Sequence, residues 1–320
     1  MRRMIDPPKD EFYTLYSDIK SELNLCGDYF RNKTVYCNCD SPFDSNFSKF
    51  FQDNFSKLGL KKLVVTEYKD QTPDLFSNHA PHKPNGMIYF QDEFIGQYVQ
   101  YFELDSDGSY DSPQCLDFLQ QSDMVVTNPP FSRLQDFIKL LISNNKDFLI
   151  IGNLNTICAE MFEYVKSGML WFGSNIPKKF TTKTQQYVTF GNTRWLTNIT
   201  YTIDKKQLTP THDYSANKYP KYENFDAINV DELAQIPKDY DGVIGVPITF
   251  LDYYQPQTWE IVGLGKAPFG LRCGIKPYIQ EHKYFRKNIQ GRQAHDGDLY
   301  IMKDGVVHVP YMRILIKRKH

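Results

Sequence analysis

In 320 residues, 37 Lys plus Arg stand against 38 Asp plus Glu and 41% of positions are hydrophobic; this excludes a disordered chain and, by length, a single small module, and about two domains of roughly 150 residues fit. No apolar run approaches the roughly 20 residues of a membrane span, and none follows the arginines of Met1-Arg2-Arg3-Met4, so neither anchor nor secretory signal is expected and the expected compartment is the cytoplasm. Charge is balanced overall but not locally: positions 101 to 130 carry six acidic residues and no Lys or Arg, whereas positions 271 to 320 carry 11 Lys plus Arg against four acidic residues, a net of +7.

The acidic stretch suits a cationic ligand or a plain solvated loop, and the basic one a polyanion or a solvated face. From Asp10 to Leu25 the chain is polar and helix-permissive. Thr34-Val35-Tyr36-Cys37-Asn38-Cys39 is a β-branched and aromatic run stopped by Asp40-Ser41-Pro42, and it reads as a strand. Phe47, Phe50, Phe51, Phe55 and Leu58 recur at helical spacing until Gly59. Leu63-Val64-Val65-Thr66 is a second strand ending in Glu67, and Met124-Val125-Val126-Thr127 a third, followed by a helix through Phe137, Leu140 and Leu141. Phe148 to Gly152 is a buried strand, Met161, Phe162 and Val165 lie on a helix after it, and strands are expected at Leu170 to Gly173 and Thr193 to Ile199.

Short apolar strands separated by single amphipathic helices predict an α/β fold, a mostly parallel sheet with helices on both faces. Ligands of such sheets sit beyond the carboxyl ends of the strands, which singles out Asp40, Glu67, Asp105, Asp107 and Asn128. From about Asp204 the chain turns loop-rich, with Pro and Tyr, and has β-like runs at Val243 to Leu251, Trp259 to Leu264 and Tyr300 to Ile316. Two parts are therefore expected, 1–203 and 204–320, the second a loop-rich mixed α/β lobe. The six cysteines form no Cys-x-x-Cys pair and are expected reduced; His79 and His82 sit three apart without further ligands nearby, so no metal is expected.

Asn128-Pro129-Pro130-Phe131 carries the chemistry. One reading is a strand stopped by prolines, which lack an amide donor. The other uses their rigidity: the Asn128 side chain and the Pro129 carbonyl converge as acceptors on one exocyclic amino group. Held that way, the nitrogen lone pair leaves the ring system and becomes available to an electrophilic methyl, while Phe131 stacks on the base.

Thr127 to Ser132 after an apolar strand resembles the catalytic motif of amino-group methyltransferases that use S-adenosylmethionine. Asp10-Glu11-Phe12-Tyr13-Thr14, Val35 to Asp40, Leu58 to Leu63, Tyr219-Pro220-Lys221-Tyr222 and Gly245 to Asp252 resemble the EcoRI-type adenine-specific DNA methyltransferases in particular, over about Asp10 to Leu264. The resemblance implies a Rossmann-like methyltransferase sheet in 1–203, a DNA-binding target-recognition region in 204–320, and methyl transfer from S-adenosylmethionine to N6 of a flipped-out adenine in duplex DNA. Asn128, Pro129, Pro130 and Phe131 would hold the adenine. Phe12, Tyr13 and Thr14, the turn with Asn38, Cys39, Asp40 and Pro42, and Glu67, Asp105 and Asp107 would line the cofactor site, with Glu67 accepting the ribose hydroxyls. The chain departs from the family pattern in having Asp40-Ser41-Pro42-Phe43 where a glycine-rich loop is usual, and Ser109-Tyr110 where a second acidic residue is expected beside Asp107.

Lys178, Lys179 and Lys183, and Arg286, Arg292 and Arg313 of the basic tail, are the candidate phosphate contacts, with ordinary surface positions as the alternative. The expected partners are duplex DNA and a cognate restriction endonuclease that shares the site without a stable complex, the expected state a monomer with no membrane association. Two other functions stay open: amino-group methylation of RNA or of protein glutamine, and DNA binding without catalysis.

Overall fold

The computed structural model describes residues 12–69, 84–92, 96–157, 159–182, 185–199 and 208–319. Asp10, Glu11, His79, His82, Lys183 and the boundary expected between 203 and 204 lie outside the described residues. The chain divides into two compact units, one of Met1–Thr156 with Gly168–Ile203, the other of Ile157–Ser167 with Asp204–His320.

In the first unit β1 (Tyr13–Thr14) and α1 (Tyr16–Leu23) precede β2 (Thr34–Cys37). Helix α2 (Asn46–Leu58) forms as its spacing dictates: Phe47, Phe50, Phe51, Phe55 and Leu58 are all buried along one face. Each such side chain contributes about 1.5–3 kcal/mol on burial. The Ser45 hydroxyl caps the helix by accepting from Phe47 N at 3.0 Å. Gly59 ends it at φ 63°, a left-handed conformation that suits a residue without Cβ.

The chain continues through β3 (Lys62–Thr66), β4 (Gly86–Asp92), β5 (Gly96–Phe102), α3 (Pro113–Gln121), β6 (Met124–Thr127), α4 (Leu134–Ser143) and β7 (Asp147–Asn153). Helix α5 (Ala159–Lys166) follows, then β8 (Trp171–Phe172), β9 (Lys179–Thr181), β10 (Tyr187–Thr189) and β11 (Thr193–Thr197). Sequence order assigns α5 to the first part; its contacts with a strand of the second unit place it there instead.

The large sheet has the order β5-β4-β3-β2-β6-β7-β11-β8. Its centre, β3-β2-β6-β7, is parallel, but β4 and β5 on one side and β11 and β8 on the other pair antiparallel. The mostly parallel sheet expected from sequence is therefore corrected to a mixed one. Short apolar strands look alike in either direction, and the connections decide: crossovers containing α2 and α4 bring β3 and β7 in parallel, whereas the few positions between Asp92 and Gly96 allow only a hairpin.

All of β2 and β6 is buried, so both faces of the sheet centre are covered. Val35, Cys37, Leu63, Val65, Met124 and Val126 share a core with Ile19 and Leu23 of α1 and the phenylalanines of α2. Tyr36, which points the other way along the strand, meets Phe118 of α3 with ring centres 6.1 Å apart. A separate antiparallel sheet, β1-β9-β10, completes this unit.

The second unit holds β12 (Ala227–Asn229), β13 (Val243–Pro247), β14 (Trp259–Leu264), α6 (Phe269–Arg272), α7 (Gln280–Tyr284), β15 (Ile301–Lys303), β16 (Val306–His308) and β17 (Arg313–Arg318). They form a mixed sheet, β12-β13-β17-β14, and a hairpin, β15-β16. The run expected from Tyr300 to Ile316 is split because Asp304 and Gly305, at φ 53° and 75°, turn β15 back into β16. The run expected to Leu251 stops at Pro247 and continues as a 3-10 turn. Among the described residues no helix is long and apolar enough to cross a membrane.

Candidate active site at the carboxyl edge of the sheet

Cys37 pairs in register with Val65, Tyr36 with Val125, and Thr127 with Ile150. The turns after β2, β3 and β6 therefore emerge side by side, bringing Asn38 to Asp40, Glu67 and Asn128 to one edge of the sheet. This is where an open α/β sheet binds its ligands.

Asn128 is held by its amide nitrogen, which donates to the Phe12 carbonyl at 2.5 Å. A carbonyl can only accept, so that bond fixes the amide orientation and turns Oδ1 the other way. Oδ1 is buried and has no hydrogen-bond partner among the described residues. Such a desolvated acceptor costs about 1–3 kcal/mol until a donor arrives. Pro129 is buried, while Asn128, Pro130 and Phe131 are each only half-buried, so the corner is not sealed inside the core. Phe12 and Phe131 both approach Phe190, at 4.8 Å and 6.5 Å between ring centres, in an apolar cluster beside the amide. Phe190 escaped the sequence reading because nothing local marks it; only the return of β10 toward the segment before β1 brings it there.

Asp40 lies beneath this corner, 6% exposed. Its Oδ1 accepts from Ser45 Oγ at 2.6 Å and its Oδ2 from Thr127 Oγ1 at 2.5 Å. The Asn128 backbone N–H also donates to it. Burial pushes its pKa up to about 6, against those hydrogen bonds and with a smaller upward push from Glu67. Ser45 and Thr127 were not singled out by sequence, although Ser45 stands where a helix cap is expected.

Glu67 and the acidic loop are joined through the backbone. Glu67 N donates to the Asn85 carbonyl at 2.9 Å, Asn85 Nδ2 to the Glu67 carbonyl at 3.3 Å, and Leu104 N to Asn85 Oδ1 at 2.8 Å. Gly108, at φ 80°, lies so close to the Glu67 carbonyl that a Cβ would stand 2.3 Å from it. Lys69 N bonds the Asp107 carbonyl at 2.7 Å, and the Asp107 carboxylate accepts from Ser109 N at 2.9 Å. Asp105 is exposed, with its N–H on Gln114 Oε1 at 2.8 Å. Arg133, just past the Asn-Pro-Pro-Phe corner, pairs with Asp111 at 2.6 Å and covers the Tyr110 ring at 4.7 Å.

Of the remaining expected cofactor residues, Tyr13 and Thr14 form β1 against β9. The Thr14 hydroxyl and Asn38 Nδ2 are buried without partners among the described residues. The Cys39 thiol is pushed well above its ordinary range by burial. Pro42 and Phe43 line a cavity of about 260 Å³ with Lys49, Gln52, Asp53 and Tyr101, where the Phe43 and Tyr101 rings stack 5.0 Å apart.

The expected phosphate contacts divide. Lys178, Lys179 and Arg292 are exposed. Arg286 and Arg313 are corrected to internal positions: Arg286 donates to the Gln293 and Val307 carbonyls at 2.6 and 3.1 Å, and Arg313 to Asn229, Tyr311 and Asp231 at 3.0, 3.1 and 2.6 Å. Guanidiniums so engaged have few donors left for a phosphate. Among the described residues no group of three or more His, Cys, Asp and Glu is placed to hold a metal ion.

The family model "Adenine-specific methyltransferase EcoRI" matches residues 1–319. The chain is 38% identical to the type II methyltransferase M.EcoRI of Escherichia coli, over 81% of this chain and 86% of that one. It is 33% identical to the type II methyltransferase M.MpnI of Mycoplasma pneumoniae, over 97% and 95% of the two chains. With the type II methyltransferase M.MgeORF184P of Mycoplasma genitalium it shares 30% identity, over 97% and 96%. No solved structure matches the chain. The chain belongs to the EcoRI-type adenine-specific DNA methyltransferase family, enzymes of site-specific adenine methylation in DNA.

Proposed function

We propose that the corner Asn128 to Phe131 holds the N6 amino group of a flipped-out adenine, with S-adenosylmethionine as the methyl donor and duplex DNA as the substrate. The observation that carries this reading is the Asn128 side chain, pinned by its nitrogen to Phe12 with a desolvated Oδ1 that has no partner among the described residues. That oxygen and the Pro129 carbonyl accept the two amino hydrogens, so the nitrogen lone pair is drawn out of conjugation with the ring and toward the donor. As positive charge develops on the nitrogen, the same two oxygens stabilise it. Phe131 supplies a face for the base.

The residues present suit the cofactor. The buried Thr14 hydroxyl and Asn38 amide still have hydrogen bonds to make, Glu67 stands at the strand end where a carboxylate accepts ribose hydroxyls, and the acidic loop at Asp107 favours a cation. When bound, S-adenosylmethionine supplies an electron-poor methyl carbon. On this reading the large sheet is a Rossmann-like methyltransferase sheet, 204–320 is the target-recognition lobe, and Lys178, Lys179 and Arg292 neutralise phosphates.

The test is to offer labelled S-adenosylmethionine with unmethylated duplex DNA, RNA and protein in separate reactions. Label should enter DNA alone; entry into RNA or glutamine instead would overturn the substrate assignment.

A further inference from the structure

The geometry points to Asp40 as a positioning residue for the transfer step, a strut fixing the base-holding corner to the start of α2 rather than a ligand of the cofactor. The inference rests on the reading of Asn128 given above. Both carboxylate oxygens are already taken. Oδ1 receives the Ser45 hydroxyl, whose oxygen in turn caps α2 by accepting from Phe47 N. Oδ2 receives the Thr127 hydroxyl, and the Asn128 N–H also donates to the carboxylate. One buried group thus ties the turn after β2, the start of α2 and the backbone of the residue that presents the free acceptor. With Asn128 Nδ2 fixed on Phe12, the catalytic amide is located from both its ends.

The resemblance drawn from sequence puts Asp40 among the cofactor contacts; its burial and its partners give it this other task. The charged and titratable groups facing it are Glu67 from the end of β3 and the thiols of Cys37 and Cys39 on its own strand and turn. Burial pushes both thiols well up, so they stay neutral in weak acid, and the carboxylate of Asp40 is raised into that range by its own burial. A protonated Asp40 is itself a donor facing hydroxyl and N–H donors, so the strut loosens as pH falls through about 6.

The experiment measures single-turnover methylation of unmethylated genomic DNA, with enzyme in excess over sites, across pH 5 to 8. Dissociation constants for S-adenosylmethionine and DNA are measured alongside. Asp40→Asn should slow transfer about 10- to 100-fold, the range expected of a small misplacement of reacting groups, with both dissociation constants within about twofold and the acid limb of the pH profile gone. Thr127→Val, which removes one bond that lowers the Asp40 pKa, should slow transfer and move the acid limb to higher pH; Thr127→Ser should restore both. It also serves as the independent variant if Asp40→Asn does not fold. An unchanged rate and acid limb in these variants would overturn the proposal, and so would weakened cofactor binding at an unchanged rate. Full turnover in Asn128→Ala would instead remove the amino-group reading, whatever Asp40 does.

Discussion

Each unit of the molecule contains a polar cluster built on buried side chains, and the two are finished differently. In 204–320, the Arg313 guanidinium donates to Asn229, Tyr311 and Asp231, the Tyr222 hydroxyl to Asn229, and Asn229 Nδ2 to Asp231. The hydrogen bonds close on one another, and burial pushes the Tyr222 pKa above its ordinary range. At the sheet edge of the first unit, Asn128 Oδ1, Asn38 Nδ2 and the Thr14 hydroxyl are buried and have no partner among the described residues. A closed network fixes a fold, whereas an open one holds hydrogen bonds in reserve for a ligand. Buried polar atoms without a partner among the described residues also occur in 204–320, at Tyr278, Gln290 and Arg318, so the contrast is between these two clusters and not between the two units.

The largest way to break that contrast is at Asn128. Asn128→Ala should lower single-turnover methylation by about a thousandfold or more, at the upper end for losing one oriented electrostatic group, with DNA affinity in a gel-shift titration little changed. A fall in DNA affinity matching the loss of rate would make Asn128 an ordinary binding residue. At the closed network, Arg313→Ala should destabilise the protein by about 1–3 kcal/mol in urea unfolding, because it removes a buried guanidinium together with its bonds to Asn229, Tyr311 and Asp231. Arg313→Lys should recover little, since one ammonium cannot serve three acceptors in that geometry.

Asp40 sharpens the comparison through pH. Its folded-state pKa, pushed up by burial to about 6, lies above the ordinary carboxylate value of 3.8, so the folded chain holds the proton more tightly than the unfolded chain does. Stability contributed at this site therefore falls as pH rises from about 4 to 6 and is level above, a change on the order of 2–3 kcal/mol. Urea unfolding of wild type against Asp40→Asn across that window should show the variant gaining on wild type as pH rises, the opposite of its effect on rate. The smallest effect is expected at the exposed cations. Arg292→Ala should weaken DNA binding a few-fold and reduce the salt slope by about 1, with urea stability unchanged. A stability loss like that of Arg313→Ala would place Arg292 with the internal arginines.

Much of this was legible in sequence where the signal is local. The Phe47 to Leu58 periodicity gives α2 and its buried face, Gly59 gives its end, and the Asn-Pro-Pro-Phe corner sits directly after β6. The antiparallel flanks of the sheet were not legible, because strand direction is set by the connections rather than by the residues of the strand. Arg286 and Arg313 read like Arg292, since arginine in a basic tail carries no mark of which guanidinium folds inward. The role of Asp40 was hidden for a different reason: its bond to Thr127 spans 87 positions, and only the adjacency of β2 and β6 brings the two together.

The most direct test of the central claim is to digest DNA methylated by the full chain to nucleosides and identify the modified base by mass spectrometry. An amino group gripped by Asn128 and Pro129 predicts N6-methyladenine, absent from DNA treated with Asn128→Ala. Methyl groups on a ring carbon, or the same N6-methyladenine yield from the variant, would contradict it.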